Sequence, residues 1–131
     1  MTIPYGGTVV KSLETNKPNG LLLETASDLI TERIPTKSYD QLKVALKWGL
    51  KEALKFGMTS IHTNDPTYLN GARQTYKLFD ELINQEGMGP RSNLFMDYTY
   101  LEELKDAGMS AGFGNDNVTI GAIKCCFFVV S

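Results

Sequence analysis

The spacing of apolar residues predicts that helices and short strands alternate along most of this chain. Apolar or small residues recur every three or four positions through residues 42–54, which is the spacing of one helical face. This spacing predicts a helix over residues 38–57. Two later segments with the same spacing predict helices over residues 72–85 and 100–107. Strands rich in β-prone residues are predicted at residues 58–62, 92–97 and 118–123. This order, at about 30 residues per unit, is typical of parallel βα crossovers.

The helix between Ser38 and Gly57 is the best-defined element of the pattern. Ser38 and Gln41 form a capping box, and Gly57 supplies the left-handed residue that ends a helix. Val44 and Trp48 are expected to widen its buried face. The opposite side carries a stripe of basic residues, Lys43, Lys47, Lys51 and Lys55. This stripe indicates either a solvated surface or a face that meets an anionic partner.

The first part of the chain has a weaker pattern. Residues 1–19 contain two prolines and two glycines and predict an irregular loop with at most an edge strand or hairpin. The apolar run Leu21–Leu23 then leads into a short helix that Thr25 is placed to cap. We therefore expect one domain, with βα units over residues 20–124 and a divergent tail at residues 125–131.

Composition excludes several classes of function. The 131 residues are 42% hydrophobic and 21% charged, a balance typical of a globular domain. The 13 basic and 15 acidic side chains are not segregated into blocks, which argues against a nucleic-acid or membrane partner. No apolar run approaches the ~20 residues of a membrane span and no signal layout opens the chain, so a cytoplasmic location is expected. The adjacent Cys125 and Cys126 fit neither a disulfide nor a spaced zinc site.

Chemically active side chains stand at the ends of the three predicted strands: His62, Asp97 and Lys124. The carboxyl ends of parallel strands meet at one edge of a sheet, which is where α/β proteins bind their substrates. Three such strands form either a small open sheet or part of a (β/α)8 barrel. In both cases we expect the three residues to face one mouth.

Each of these residues also has a structural alternative. Lys124 follows a strand that is predicted to be buried on both faces, so it either extends its charge to solvent or acts as a nucleophile, a phosphate partner or a carboxylated metal ligand. His62 is a ligand, a general base or a core residue. Asp97 either orients substrate or caps the following helix. No Ser/His/Asp order and no Walker loop accompany them.

Four segments, in their order and spacing, resemble the YtcJ-like branch of the metal-dependent amidohydrolase superfamily: Pro18–Glu24, Gly57–His62, Gly112–Asp116 and Ile120–Lys124. The resemblance implies an α/β fold, part of a (β/α)8 TIM barrel of about three βα units. It implies hydrolysis of carbon–nitrogen bonds other than peptide bonds, in a small amide-type substrate, with a divalent metal for which zinc is the first choice. Lys124 matches a lysine that can be carboxylated and bridge the metals, with His62 and Asp97 near the substrate.

The sequence also departs from that family. His62 is followed by Thr63 where the family often has aspartate, and the other metal ligands are expected to lie outside residues 1–131. The tail from Cys125 to Ser131 differs from the family and is apolar, which exposes an aggregation-prone edge. We therefore expect a hydrolase fragment that holds no metal stably and is inactive in isolation. The alternatives are a non-catalytic remnant or interaction module that associates through open sheet edges, and a small open α/β binding module.

Overall fold

The computed structural model of this chain contains both helices and strands, as the pattern predicts, in two compact units. The units comprise residues 1–37 and 38–131, and the structure describes residues 5–125. The initial four residues and the tail from Cys126 onward, including most of the predicted divergent segment, lie outside the described residues. Within the described part of the chain, no helix is both long and apolar enough to cross a membrane.

The first unit is built on an antiparallel hairpin. Strand β1 (Thr8–Lys11) pairs with β2 (Pro18–Leu23), and a 3₁₀ turn and a one-turn helix, α1 (Asp28–Thr31), follow. The sequence placed the start of the βα units at residue 20, but residues 20–23 complete this hairpin instead. Thr25 does not cap a helix, because its hydroxyl donates to the backbone carbonyl of Tyr5 at 2.8 Å.

The second unit contains the three predicted helices and the three predicted strands. In chain order these are α2 (Tyr39–Lys55), β3 (Ser60–Thr63), α3 (Ala72–Asp80), β4 (Arg91–Asp97), α4 (Leu101–Asp106) and β5 (Val118–Lys124). The strands form one sheet in the order β3-β4-β5, and both pairings are parallel. The expectation of parallel βα crossovers is therefore confirmed for these strands, although no barrel closes among the described residues.

The core of this unit covers one face of the sheet. Along β4 the side chains alternate, and Leu94 and Met96 are fully buried in the same cluster as Leu78 and Phe79 of α3. On β5, by contrast, the last residues are exposed, and Ile123 is 38% exposed. The prediction that β5 is buried on both faces is wrong, because only Val118 and Ile120 of this strand are buried and its residues 122–124 are exposed.

Helix α2 begins and ends as the sequence predicts. Both hydrogen bonds of the Ser38 capping box are present. At the other end Gly57 has a φ of 76°, and the N–H groups of Gly57 and Met58 donate back to the carbonyls of Leu54 and Ala53, at 2.9 and 3.1 Å. This is the Schellman arrangement, which satisfies carbonyls that a helix end leaves unpaired.

The surface of α2 differs from the prediction. Val44 and Trp48 are exposed, at 56% and 63%, so they do not widen the buried face. Part of the lysine stripe is structural: Lys43 contacts carboxylates of Glu81 and Glu86, each at 2.9 Å. These two carboxylates raise the pKa of the Lys43 ammonium above its ordinary value. Part of the stripe is therefore engaged in ion pairs. Its whole length is neither a simple solvated surface nor a face available to an anionic partner.

A π-helical turn explains how two glutamates reach one lysine. After Asp80 the helix continues as a π turn over Glu81–Gln85, and the N–H of Glu86 donates to the carbonyl of Glu81 at 3.0 Å. A hydrogen bond between residues five apart places those residues on one side of the helix. Glu81 and Glu86 therefore both face α2. The same surroundings bury Tyr39, and this burial, followed by the effect of Glu81, raises the pKa of Tyr39 to about 12.

A carboxylate from α4 caps the beginning of α3. Glu103 accepts hydrogen bonds from the backbone N–H groups of Ala72 and Arg73, at 3.1 and 2.9 Å. These groups have no partner within the helix, and the negative charge also interacts favourably with the helix dipole. Gly71, with a φ of 112°, permits the approach, since a Cβ there would lie 3.1 Å from both carboxylate oxygens. The cap fixes the loop between β3 and α3 against α4.

We predict that Glu103→Ala lowers the free energy of unfolding by about 1–2 kcal/mol, because two N–H groups lose a charged acceptor. Urea denaturation followed by circular dichroism measures the change. Glu102→Ala is the matched control, since Glu102 makes only an exposed ion pair with Lys105 and its loss costs little. Equal effects of the two substitutions would contradict the role of the cap.

Candidate functional site

Two of the three residues predicted at the strand ends lie side by side. Asp97 is the last residue of β4 and Lys124 the last residue of β5, and the two are partners in the parallel register. The register shifts between Leu94 and Met96, where β4 pairs irregularly with β5. Because partners in register lie on neighbouring strands, an acid and a base stand together at the carboxyl edge of the sheet.

His62 does not lie at this level. It is the penultimate residue of β3, since Thr63 continues the strand and pairs with Leu94. The register partner of His62 is Asn93, four residues before Asp97, which corresponds to roughly 13 Å along a strand. The prediction that His62 ends its strand is therefore off by one residue, and His62 sits deeper along the sheet than the Asp97–Lys124 pair.

The surroundings of His62 are aromatic and polar. Its ring packs edge-on against Phe95, with 5.2 Å between the ring centroids and 69° between the planes. The imidazole is nevertheless exposed, so His62 is not the core residue that one sequence-based alternative described. On the same face the amide of Asn93 lies over Gly121, where a Cβ would collide with it. Glycine at position 121 is thus required by close packing across the sheet.

Asp97 caps the turn that follows its strand. Its Oδ1 accepts hydrogen bonds from the backbone N–H of Thr99 at 3.0 Å and from the Thr99 hydroxyl at 2.7 Å. These two bonds, and then the attraction of the Lys124 ammonium, hold the pKa of Asp97 below its ordinary value of 3.8. Asp97 is thus a capping residue, but it caps the 3₁₀ turn ahead of α4 and not α4 itself, which is the helix that the capping alternative named.

The loop before β5 positions Lys124. Its backbone folds back on the strand, with hydrogen bonds of 2.8 Å from Gly112 N–H to the Ile120 carbonyl and from Ile120 N–H to the Phe113 carbonyl. Gly114 has a φ of 119°, and a Cβ there would collide with the Val118 carbonyl. The glycine-rich turn that the sequence places before β5 therefore anchors the strand, whose exposed end carries Lys124.

The candidate residues do not fit a metal centre by themselves. Within residues 5–125 no group of three or more His, Cys, Asp or Glu side chains is placed to hold a metal ion. His62 lies at a different level from Lys124, and Oδ1 of Asp97 already accepts two hydrogen bonds from Thr99. Any metal held near Lys124 requires ligands beyond these.

The loop after β3 begins with Asn64, Asp65 and Pro66, and an aspartate before a proline predicts a turn from the sequence alone. The turn itself is confirmed, because the carbonyl of Asp65 accepts from the N–H groups of Tyr68 and Leu69 at 2.9 and 3.0 Å. The carboxyl group of Asp65 is partly buried, and this burial raises its pKa. In the sequence, a carboxylate just past a strand end is a signal for a site, whereas its position before Pro66 indicates a turn.

Comparison with known proteins identifies the family of this chain. A family model described as the amidohydrolase family matches residues 3–130. The chain belongs to the amidohydrolase family. This confirms the resemblance drawn from the four sequence segments, and it identifies a family whose members are hydrolases.

One curated relative is a Bacillus subtilis (strain 168) protein, YtcJ, whose name carries a provisional amidohydrolase assignment. It is 31% identical over 78 residues, a stretch that makes up 60% of this chain and 15% of the relative. The alignment therefore spans less than one sixth of that protein. No solved structure is significantly similar to this chain.

We predict that Thr99→Val raises the pKa of Asp97 toward its ordinary value, because the hydroxyl bond to the charged carboxylate is lost while the backbone bond remains. The pKa of Asp97 is lower in the folded chain than in the unfolded chain. The ionised carboxylate therefore stabilises the fold at pH values above the unfolded pKa, and this stabilisation is lost as the pH falls through the folded pKa. The variant should therefore lose less stability on acidification. Carbon-detected NMR titration of the carboxyl group measures the pKa, and Thr67→Val, on an exposed loop residue, should leave it unchanged.

Proposed function

We propose that this chain is a portion of a metal-dependent hydrolase that cleaves carbon–nitrogen bonds other than peptide bonds in a small amide-type substrate. The observation that carries the proposal is the Asp97–Lys124 pair at the carboxyl ends of two parallel strands, in a chain of the amidohydrolase family. In parallel α/β architectures this edge is where substrates bind. Lys124 takes the metal position, and His62 and Asp97 contribute to the substrate side.

The parallel sheet supports placing the chain within a (β/α)8 barrel. β3, β4 and β5 run in sequence order with a helix between neighbours, which is the repeating unit of that fold. In such a barrel the second face of the sheet is the interior, and it is the face on which His62 and Phe95 lie. A small cytoplasmic substrate would approach from the end where Asp97 and Lys124 stand.

The isolated chain is proposed to be inactive. A catalytic zinc commonly has three protein ligands, and the described residues do not bring that number of suitable side chains together. Further ligands from additional βα units would have to complete the centre.

We predict that the purified chain, incubated with zinc and bicarbonate and then desalted, retains far less than one equivalent of metal by elemental mass spectrometry. The small amount that remains should be removed by a chelator and should be the same in a Lys124→Ala variant, because no set of ligands holds it. One tightly bound equivalent that Lys124→Ala abolishes would show that this chain alone builds the metal centre, and would contradict the proposed inactivity.

A second candidate function is a non-catalytic module that self-associates through its sheet edges. β3 has β4 on one side and no described strand on the other. The turn at residues 112–115 bonds to the first half of β5, whereas the second half has no described strand on its outer side. Open strand edges present backbone groups that pair readily with another chain. This second candidate function requires no metal and no substrate.

For this second candidate we predict concentration-dependent oligomers in sedimentation velocity experiments. Ala122→Lys places a charge on the exposed second half of β5 and should raise the dissociation constant several-fold, because charges at strand edges oppose pairing. The matched control is Ala45→Lys, on the exposed side of α2, which should not change it. A wild-type chain that remains monomeric at every concentration would exclude the module.

A further inference from the structure

Two apolar side chains of α2 face away from the core. Val44 and Trp48 lie one turn apart, and each is more than half exposed. Leu46, two residues from both, packs against the hydrophobic core. Two residues correspond to a rotation of roughly 200° around an α-helix. Val44 and Trp48 therefore lie on the outer side of α2, opposite the side that packs against the core.

Further βα units beside this sheet would leave the outer side of α2 uncovered. On one flank of α2, Lys43 and Lys47 already form ion pairs with Glu86, which follows the π turn. Helices of parallel α/β folds lie side by side in a layer over the sheet, so an additional unit packs against the other flank. Tryptophan is enriched among the residues that anchor protein interfaces. An apolar patch centred on Trp48, on the outside of the helix layer, therefore indicates contact with another molecule.

Charged residues flank this apolar patch in a self-complementary order. Asp40 lies one turn before Val44, and Lys55 lies two turns after Trp48, on the same outer side. At about 1.5 Å per residue, Asp40 and Lys55 are each roughly 11 Å from the point midway between residues 47 and 48. A second α2 that runs antiparallel about this point brings Asp40 of each copy level with Lys55 of the other. The opposite charges then meet twice, as a two-fold axis requires.

These charges are available to a second copy. Within residues 5–125, Asp40 forms no ion pair with a lysine or an arginine. Lys55 forms an ion pair with Glu52, and the two side chains are 65% and 48% exposed. Exposed pairs of this kind contribute little to stability, so this one does not prevent Lys55 from reaching a carboxylate of another chain.

We propose that the outer side of α2 is an interface between two copies of this chain, with the two helices antiparallel and Trp48 of each copy beside the two-fold axis. The tryptophan rings supply most of the affinity, because anchor residues at the centre of an interface dominate binding. The Asp40–Lys55 pairs fix the orientation, since charges at an interface rim determine register more than affinity. One helix from each copy makes a small interface, so the dimer is weak and concentration-dependent.

The first test follows Trp48, the only tryptophan of the chain, as an intrinsic reporter. Its fluorescence emission should move to shorter wavelengths as protein concentration rises, in step with the dimer fraction in sedimentation velocity experiments, because the ring leaves water. Trp48→Ala should raise the dissociation constant at least about tenfold. The variant should keep its fold, because the side chain is exposed and alanine favours a helix.

The matched control for this test is Tyr68→Ala. Tyr68 is an aromatic residue on the loop after β3 and is 75% exposed, so its removal should leave the dissociation constant unchanged. A dissociation constant that Trp48→Ala also leaves unchanged, or a wild-type chain that is monomeric at every concentration, would overturn the interface.

The second test examines the orientation of the helices. Asp40→Lys and Lys55→Glu each place like charges opposite one another in the antiparallel dimer, and each should raise the dissociation constant several-fold. The double variant Asp40→Lys/Lys55→Glu restores the attraction and should return the dissociation constant to within about twofold of the wild-type value. Each substitution also weakens the end of α2 where it lies, but such effects add in the double variant and do not cancel. A double variant that dimerises more weakly than either single variant would contradict the antiparallel contact.

This interface differs from association through sheet edges in the variants that affect it. Ala122→Lys, on β5, should leave the α2 dimer unchanged, and a dimer that Ala122→Lys abolishes would overturn the α2 interface. Ala45 lies about 100° around the helix from Val44, on a flank that the two-fold contact does not use. The α2 interface also goes beyond the proposed hydrolase function and does not depend on it. A monomeric chain would remove the dimer and leave the hydrolase proposal as it stands.

Discussion

Burial of one face of the parallel sheet holds together the unit that carries the candidate site. Leu94 and Met96, on the central strand, are fully buried in a single cluster with Leu78 and Phe79 of α3. Burying such side chains is the main favourable term in folding, at roughly 25 cal/mol per Å² of apolar surface. Parallel strands require crossover helices, so this same packing brings the carboxyl ends of the strands to one edge. The positions of Asp97 and Lys124 follow from it.

Charged contacts then fix the helices around that core. Glu103 joins α4 to the beginning of α3, and Lys43 joins α2 to the π turn that follows α3. The two contacts differ in character. The cap satisfies backbone groups that have no other partner, whereas the ion pairs on α2 lie in partly exposed surroundings where screening limits their contribution. The cap therefore matters more for the geometry of the loop after β3.

Sequence reasoning succeeded where local chemistry decides the structure. Ser38 and Gly57 bounded α2 because capping and left-handed backbone depend on a few neighbouring residues. It failed where contacts between distant parts of the chain decide the structure. Trp48 is exposed although it borders the buried stripe of α2, because the sequence of an apolar residue gives no sign of whether another element covers it. The position of His62 along the sheet depends on the strand register, which pairs Thr63 with Leu94. The Glu103 cap joins residues about 30 positions apart. Neither feature can be read from neighbouring residues in the sequence.

The carboxyl edge of the sheet contains two electrostatically different parts. At the ends of β4 and β5, Asp97 accepts two hydrogen bonds from Thr99 and is the register partner of Lys124, and its pKa is lowered. On the loop after β3, Asp65 has one hydroxyl donor, its pKa is raised, and Asn64 adds an unpaired oxygen. Hydrogen bonds to a charged carboxylate lower its pKa, whereas loss of hydration raises it. The two carboxylates at this sheet edge therefore differ electrostatically because of the loops that follow their strands, one of which supplies hydrogen-bond donors while the other buries the charge.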